Sequence, residues 1–145
     1  MDFSHLKKLD VVDKTARFTI AQMASEPVLI MKPGTEANKL YFNAILKRSR
    51  SSMAAIRRGT VTERQIAESR EKDRQLFPKF VVVGWENVTD REGNQVPFTP
   101  DNCEQFLRAL PDWIFDDIRN FAADNANFFG EPIDIEETAK NSASD

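Results

Sequence analysis

The side chains that could do chemistry in this chain are few. There is one histidine, His5, and one cysteine, Cys103. A thiolate nucleophile needs a base within hydrogen-bond reach, and a metal centre needs several His, Cys or carboxylate ligands at fixed spacing. A Cys103–His5 pair is conceivable, but an incidental or structural role for both is the simpler reading. Asp116-Asp117 together with Asp101 could mimic the carboxylate pair of general acid–base catalysis. Acids on a solvated helix face explain them better. No G-x-x-x-x-G-K-[ST], G-x-G-x-x-G, H-E-x-x-H or Cys-x-x-Cys pattern occurs, and the five glycines at 34, 59, 84, 93 and 130 are too scattered to cradle a phosphate. The expectation is a protein without catalytic residues, cofactor or metal.

The second chemical candidate is a basic run. Lys47, Arg48, Arg50, Arg57, Arg58 and Arg64 fall within eighteen residues, a density that could form a footprint on nucleic-acid phosphates. Against it stand a net charge of −3 and the lack of aromatics interleaved with the basic residues. The charge is segregated along the chain. Residues 39–74 carry ten Lys/Arg against four Asp/Glu, a net of +6, while residues 101–145 carry three against eleven, a net of −8. Such opposition suggests contact between copies, with Arg57, Arg58 and Arg64 on one side and Asp116 and Asp117 on the other. Two solvated faces that never meet are the plain alternative.

The third signal is aromatic. Eleven Phe, two Trp and one Tyr are a rich supply for 145 residues, and they concentrate toward the end of the chain. Trp113 and Phe115 fall on opposed sides of one helical pattern, so both sides look apolar, as at a protein-binding surface. A groove lined by Trp85, Phe98, Phe106, Trp113 and Phe115 is the candidate partner site; a well-filled core is the competing explanation.

The elements that must position these residues follow from periodicity. Phe18 and Ile20 alternate with polar neighbours over Thr15–Gln22, and Val28–Lys32 is a short apolar run after a Ser25-Glu26-Pro27 turn, which predicts an antiparallel hairpin over about 15–32. Thr35 is the expected cap of a helix reaching Arg50. Thr62-Glu-Arg-Gln65 is a capping-box signature for a helix that is charged nearly all round, a type that bridges solvent or packs on another chain. Pro78 should break or kink it. The run Phe80-Val-Val-Val-Gly-Trp85 reads as strand on length and β-branching, with helix as the alternative. Asp90–Gly93–Asn94 is a tight turn with Gly93-Asn94 as its left-handed positions. Thr99-Pro100 starts one helix, Pro111-Asp112 separates it from a second capped by Asp112, and Gly130 ends the pattern. Residues 130–145 are acidic and small and read as a flexible tail. The predicted class is α+β: mostly helical, with an N-terminal β-hairpin and a C-terminal helical subdomain, in one domain over 1–129. No apolar run reaches the ~18 residues of a membrane span. The N-terminal pattern gives the expectation of no secretory signal, and one cysteine fits a reducing compartment.

The stretch from Val82 to Asn102 resembles the tail assembly chaperones of long-tailed bacteriophages. The resemblance rests on Gly84, Trp85, Asp90, Gly93, Pro97, Phe98 and Thr99, on Leu110-Pro-Asp-Trp113, and on similarity over about residues 15–129. It implies a continuous helix through residues 79–84, extending the helical region over about 35–84, with a second helical region over about 99–129. It also implies a non-enzymatic oligomeric protein of the host bacterial cytoplasm, absent from the mature virion. Such a protein coats the tape measure protein before the tail tube forms. A longer product made by frameshifting would recruit the major tail (tube) protein, and Ala139-Lys140-Asn141 is a candidate site for the slippery codons. The alternatives are a small nucleic-acid-associated phage protein using residues 47–64, or a minor structural protein of the tail.

Overall fold

Ala16 and Phe18 face inward along the first strand while Arg17 and Thr19 face solvent. This period-two alternation makes one side of a strand a core surface. The computed structural model describes residues 14–48, 59 and 61–129. β1 (Ala16–Thr19) pairs antiparallel with β2 (Val28–Met31), Phe18 opposite Leu29. The predicted hairpin is present, with a connection longer than a simple Ser25–Pro27 turn. Ile20 N–H donates to Pro27 C=O at 2.8 Å and Glu26 N–H to Met23 C=O at 2.9 Å, with Glu26 at a φ of 48°.

α1 (Lys39–Arg48) starts three residues later than a Thr35 cap suggests. Asn38 is the working cap: its Oδ1 accepts from Tyr41 N–H at 3.3 Å, and its carbonyl accepts the first helical bond from Phe42. Thr35 instead accepts from Ala37 N–H and donates to Asn125 Oδ1 at 2.7 Å. α2 (Glu63–Leu76) carries the predicted capping box, with Thr62 and Gln65 bonded reciprocally. It leads into a π-helical turn, Phe77–Val81, and then β3 (Val82–Glu86).

The continuous helix implied over 79–84 is therefore corrected: residues from Val82 onward form a strand, as their β-branched pattern suggested. Pro78 has no N–H to continue the α ladder, and Val82 N–H instead reaches Phe77 C=O. The free edge of β2 then captures the chain, giving an antiparallel sheet of order β1-β2-β3 with Leu29 opposite Trp85. Lys32 N–H donating to Val81 C=O at 2.7 Å seals the junction.

A hairpin tip follows. Asp90 accepts at its carboxylate from the N–H groups of Glu92 and Asn94, and Gly93 has a φ of 83°. Gly93, and not Asn94, holds the left-handed position; a second one falls at Asn87, with a φ of 63°. α3 (Pro100–Ala109) is capped by Thr99 with Pro100 in the first turn, as predicted. α4 (Asp112–Ala122) is preceded by Pro111 with no side-chain cap, so Asp112 does not cap it; α5 (Ala126–Phe129) is a single turn.

The fold is α+β. One apolar cluster, including Ile20, Leu29, Tyr41, Phe77, Leu107 and Phe115, joins the sheet to α1–α4. Gly34 sets the closest approach within it: its N–H donates to Ala122 C=O at 2.8 Å, and a Cβ there would stand 3.0 Å from the Ala122 Cβ. The expected acidic tail, residues 130–145, lies outside the described residues.

Candidate functional site

The charged helix α2 packs on its own chain. Arg70 donates to Asp116 through two nitrogens, at 2.9 and 2.8 Å, and to Asp112 at 3.3 Å. Arg119, on α4, donates to Asp73 at 2.7 Å, to Asp116 at 3.2 Å and to Ser69 at 2.9 Å. Asp73 is only 7% exposed, and its other oxygen accepts from the Tyr41 hydroxyl at 2.6 Å. Three helices, α1, α2 and α4, thus meet at one carboxylate. Burial and the Asp73 charge push the Tyr41 phenol far above its ordinary pKa, so it stays a donor. The Arg70 hydrogen bonds hold the Asp116 carboxyl below its usual range, with Arg119 adding to the effect.

Arg74 caps another helix. It donates to the carbonyls of Leu107 and Leu110 at 3.2 and 3.0 Å, at the end of α3, and to Asp112 at 3.0 Å, while its guanidinium lies 4.9 Å from the Phe115 ring centre. Both carbonyls lie at the helix end, where acceptors run short of α-helical donors; that of Leu107 also accepts from Leu110 N–H at 3.3 Å. Arg108 links Glu71 and Glu104 on the same side, and its bond to Glu71 lowers that carboxyl's pKa.

These contacts relocate the charges expected to join copies. Asp116 is engaged within the chain, Arg64 pairs along α2 with Glu68, and Asp117 is exposed on α4. Arg57, Arg58 and the rest of the basic run from Ser49 to Arg58 lie outside the described residues, as does His5. Cys103 is fully buried, and burial followed by the charge of Glu104 raises its thiol pKa to about 12, the opposite of an activated thiolate. Among the described residues no group of His, Cys, Asp and Glu is arranged to hold a metal ion, and no helix is long and apolar enough to cross a membrane.

The aromatic candidates separate into three situations. Trp85, Phe98 and Phe106 are half-buried and stack edge to face, with ring centres 5.2 and 5.5 Å from Trp85, whose indole N–H donates to Val96 C=O at 2.8 Å. Phe115 is 0% exposed, between Phe77 and Arg74, and so is a core residue and cannot line a surface groove. Trp113 is 58% exposed. The groove expected from all five is therefore not formed as one surface. The motif Gly84, Trp85, Asp90, Gly93, Pro97, Phe98 and Thr99 is brought together as the connection from β3 to α3. Gly84 lies opposite Ile30, Pro97 C=O accepts from Asn102, and Thr99 caps α3.

A concave site does exist elsewhere, between α1 and the α2–π turn junction. It is a groove of about 360 Å³ whose apolar lining includes Leu40, Ala44, Leu76 and Phe80, with the exposed Lys47 and Lys79 as its charges. Leu40 is 69% exposed. Asn38 positions its two walls: buried beneath the start of α1, it donates through Nδ2 to Pro33 C=O at 2.9 Å and to Phe80 C=O at 2.7 Å.

A family model, that of the YdaY prophage protein, matches residues 36–141. The chain belongs to the YdaY prophage protein family. It is therefore phage-derived. No curated protein and no solved structure matches it. In this YdaY-family chain the match covers α1 through α5, including the α2–α4 charge network and the groove, and continues past Phe129 to Asn141. It begins after β1 and β2, although β3 within it takes β2 as its partner.

Sequence reasoning missed Asn38, Asp73, Arg119 and Leu40. Asp73 and Arg119 are separated by 46 positions, and nothing local marks them as partners. The one available signal was the all-round charge of α2, which required oppositely charged neighbours somewhere.

Proposed function

We propose that this YdaY-family protein is a non-enzymatic holding protein of phage tail assembly, which binds the tape measure protein and keeps it soluble in the host cytoplasm until the tail tube forms. The observation that carries this reading is the pairing of exposed large apolar side chains, Leu40 and Trp113 above all, with carboxylates and a thiol that are engaged or buried within the fold. Exposed apolar surface of this kind favours a protein partner, and a long helical partner held by many copies needs only weak single contacts. The resemblance of the β3–α3 motif to that of tail assembly chaperones supports the finer assignment. Self-association is part of the proposal, with Asp117 of one copy facing the basic stretch of a second. A longer frameshifted form that contacts the tube protein would complete the role.

Co-expression tests it. The tape measure protein encoded by the same prophage should be insoluble alone and recovered in the soluble fraction, in a complex, when this chain is present. A tape measure protein that stays insoluble at equal expression refutes the proposal. Salt-sensitive retention on DNA in place of that complex would assign the chain to the nucleic-acid class.

A further inference from the structure

The Leu40–Phe80 groove is lined by Leu40, Ala44, Leu76 and Phe80 together with Asn43 and two lysines, and neither Lys47 nor Lys79 has an ion-pair partner among the described residues. Its complement is present in the same chain. Residues 131–137 read Glu-Pro-Ile-Asp-Ile-Glu-Glu. In an extended segment alternate side chains share a face, so Ile133 and Ile135 would fall on one side with Glu131 and Glu137 at its two ends, and Asp134 and Glu136 on the other. We propose that Glu131–Glu137 docks in this groove of its own chain, with Ile133 and Ile135 over Leu40, Ala44 and Phe80 and with Glu131 and Glu137 toward Lys47 and Lys79.

Three observations carry this. The first is charge and polarity: two isoleucines flanked by acids match an apolar trough edged by lysines. The second is reach. Asn125, four residues before Phe129, is joined to Thr35 at 2.7 Å, and Asn38 ties the start of α1 to Phe80 at 2.7 Å. The last described turn therefore starts next to the residues that lead into α1, whose Leu40 and Ala44 line the groove. The ten residues of α1 span about 15 Å at the usual helical rise. Seven extended residues reach about 23 Å, enough to follow the helix. The third is the family match, which continues through this segment to Asn141, so Glu131–Glu137 lies in the stretch the family shares. Leu40, at 69% the most exposed large apolar side chain among the described residues, is the residue such docking would cover. The docking is independent of which partner the protein serves. If the groove also receives a partner, the segment competes with it.

The test uses the full chain carrying Asn43→Cys on the groove wall and Ile133→Cys in the segment, leaving Ile135 to hold it. Cys103 is buried and stays out of the reaction. A disulfide requires the two Cβ atoms to approach within about 4.5 Å. The expected result, read by non-reducing electrophoresis and mass spectrometry, is an intramolecular disulfide whose yield does not change on dilution, and which is lost when Ile135→Asp is added. Dimers whose yield falls on dilution would mean that a second copy supplies the segment, and would overturn the proposal. So would two thiols that alkylate freely without forming a disulfide. As a second readout, Ile133→Asp with Ile135→Asp in the otherwise unchanged chain should shift the amide resonances of Leu40, Ala44 and Phe80; an unchanged spectrum refutes docking. Neither readout involves the tape measure protein, so failure here leaves the functional proposal to its own experiment.

Discussion

Replacing Asn38 with alanine tests the joint that holds α1 to the sheet and the π turn. The side chain makes three hydrogen bonds while only 6% exposed. Losing the cap to Tyr41 N–H costs about 1 kcal/mol. Pro33 is buried, so its orphaned carbonyl costs roughly 1–3 kcal/mol. Phe80 is half-buried and water can reach its carbonyl, so only the net worth of an ordinary hydrogen bond, about 1 kcal/mol, is lost there. Asn38→Ala should therefore destabilise by about 3–5 kcal/mol, a large part of the roughly 5–15 kcal/mol of a typical domain. Urea unfolding at unchanged m-value is the assay. Asn38→Ser restores the cap alone and should recover about 1 kcal/mol. Asn38→Asp keeps the cap acceptor but aims negative oxygens at two carbonyls, so at neutral pH it should be no better than alanine. The introduced carboxyl has a raised folded-state pKa by this argument, so that variant should gain stability relative to wild type as the pH falls and the group becomes a donor. A loss below about 1 kcal/mol for Asn38→Ala, or a wild-type stability for Asn38→Asp at neutral pH, would refute the three-way joint.

Gly34→Ala should destabilise by about 1–3 kcal/mol, because its Cβ would press on a backbone-anchored Ala122 Cβ that cannot rotate away. Thermal unfolding would show it, and an unchanged midpoint would mean that α4 can shift outward. Asp116 has a depressed folded-state pKa, so its contribution to stability is present above the ordinary carboxylate range and lost as pH falls through the folded value. Asp116→Asn should accordingly flatten the acid limb of the melting profile, and an identical slope would contradict the Arg70 pairing. Trp113→Ser lies on the surface and should leave stability within about 0.5 kcal/mol. It should also reduce recovery of soluble tape measure protein, whereas equal recovery would remove Trp113 from the binding surface.

Much of the local structure was legible because its causes are local. Thr62 with Gln65, Thr99 with Pro100, and Asp90 with Gly93 each act within a few residues, so their caps and turns could be read directly. Thr35 and Asp112 look like caps by the same rule and are not. Tertiary partners, Asn125 for the first and Arg70 and Arg74 for the second, take their side chains instead. The candidate site was less legible. Trp113 and Phe115 sit two positions apart on one helix, and periodicity separates their faces without saying which face is covered.

The amino-acid pattern alone was enough for the class α+β, the N-terminal hairpin and the poverty in nucleophiles and metal ligands, whereas for Phe80–Trp85 it left strand and helix both open. Each follows from side-chain type and short-range periodicity. Only the tertiary structure decided where the charges go. Asp116, one of the acids that suggested contact between copies, pairs with Arg70 of its own chain, and Arg119 pairs with the buried Asp73. An ion pair across 46 residues depends on how α2 crosses α4, and that crossing is set by the packing of the whole core. The same packing buries Phe115, leaves Leu40 and Trp113 in solvent, and opens the groove between α1 and the π turn.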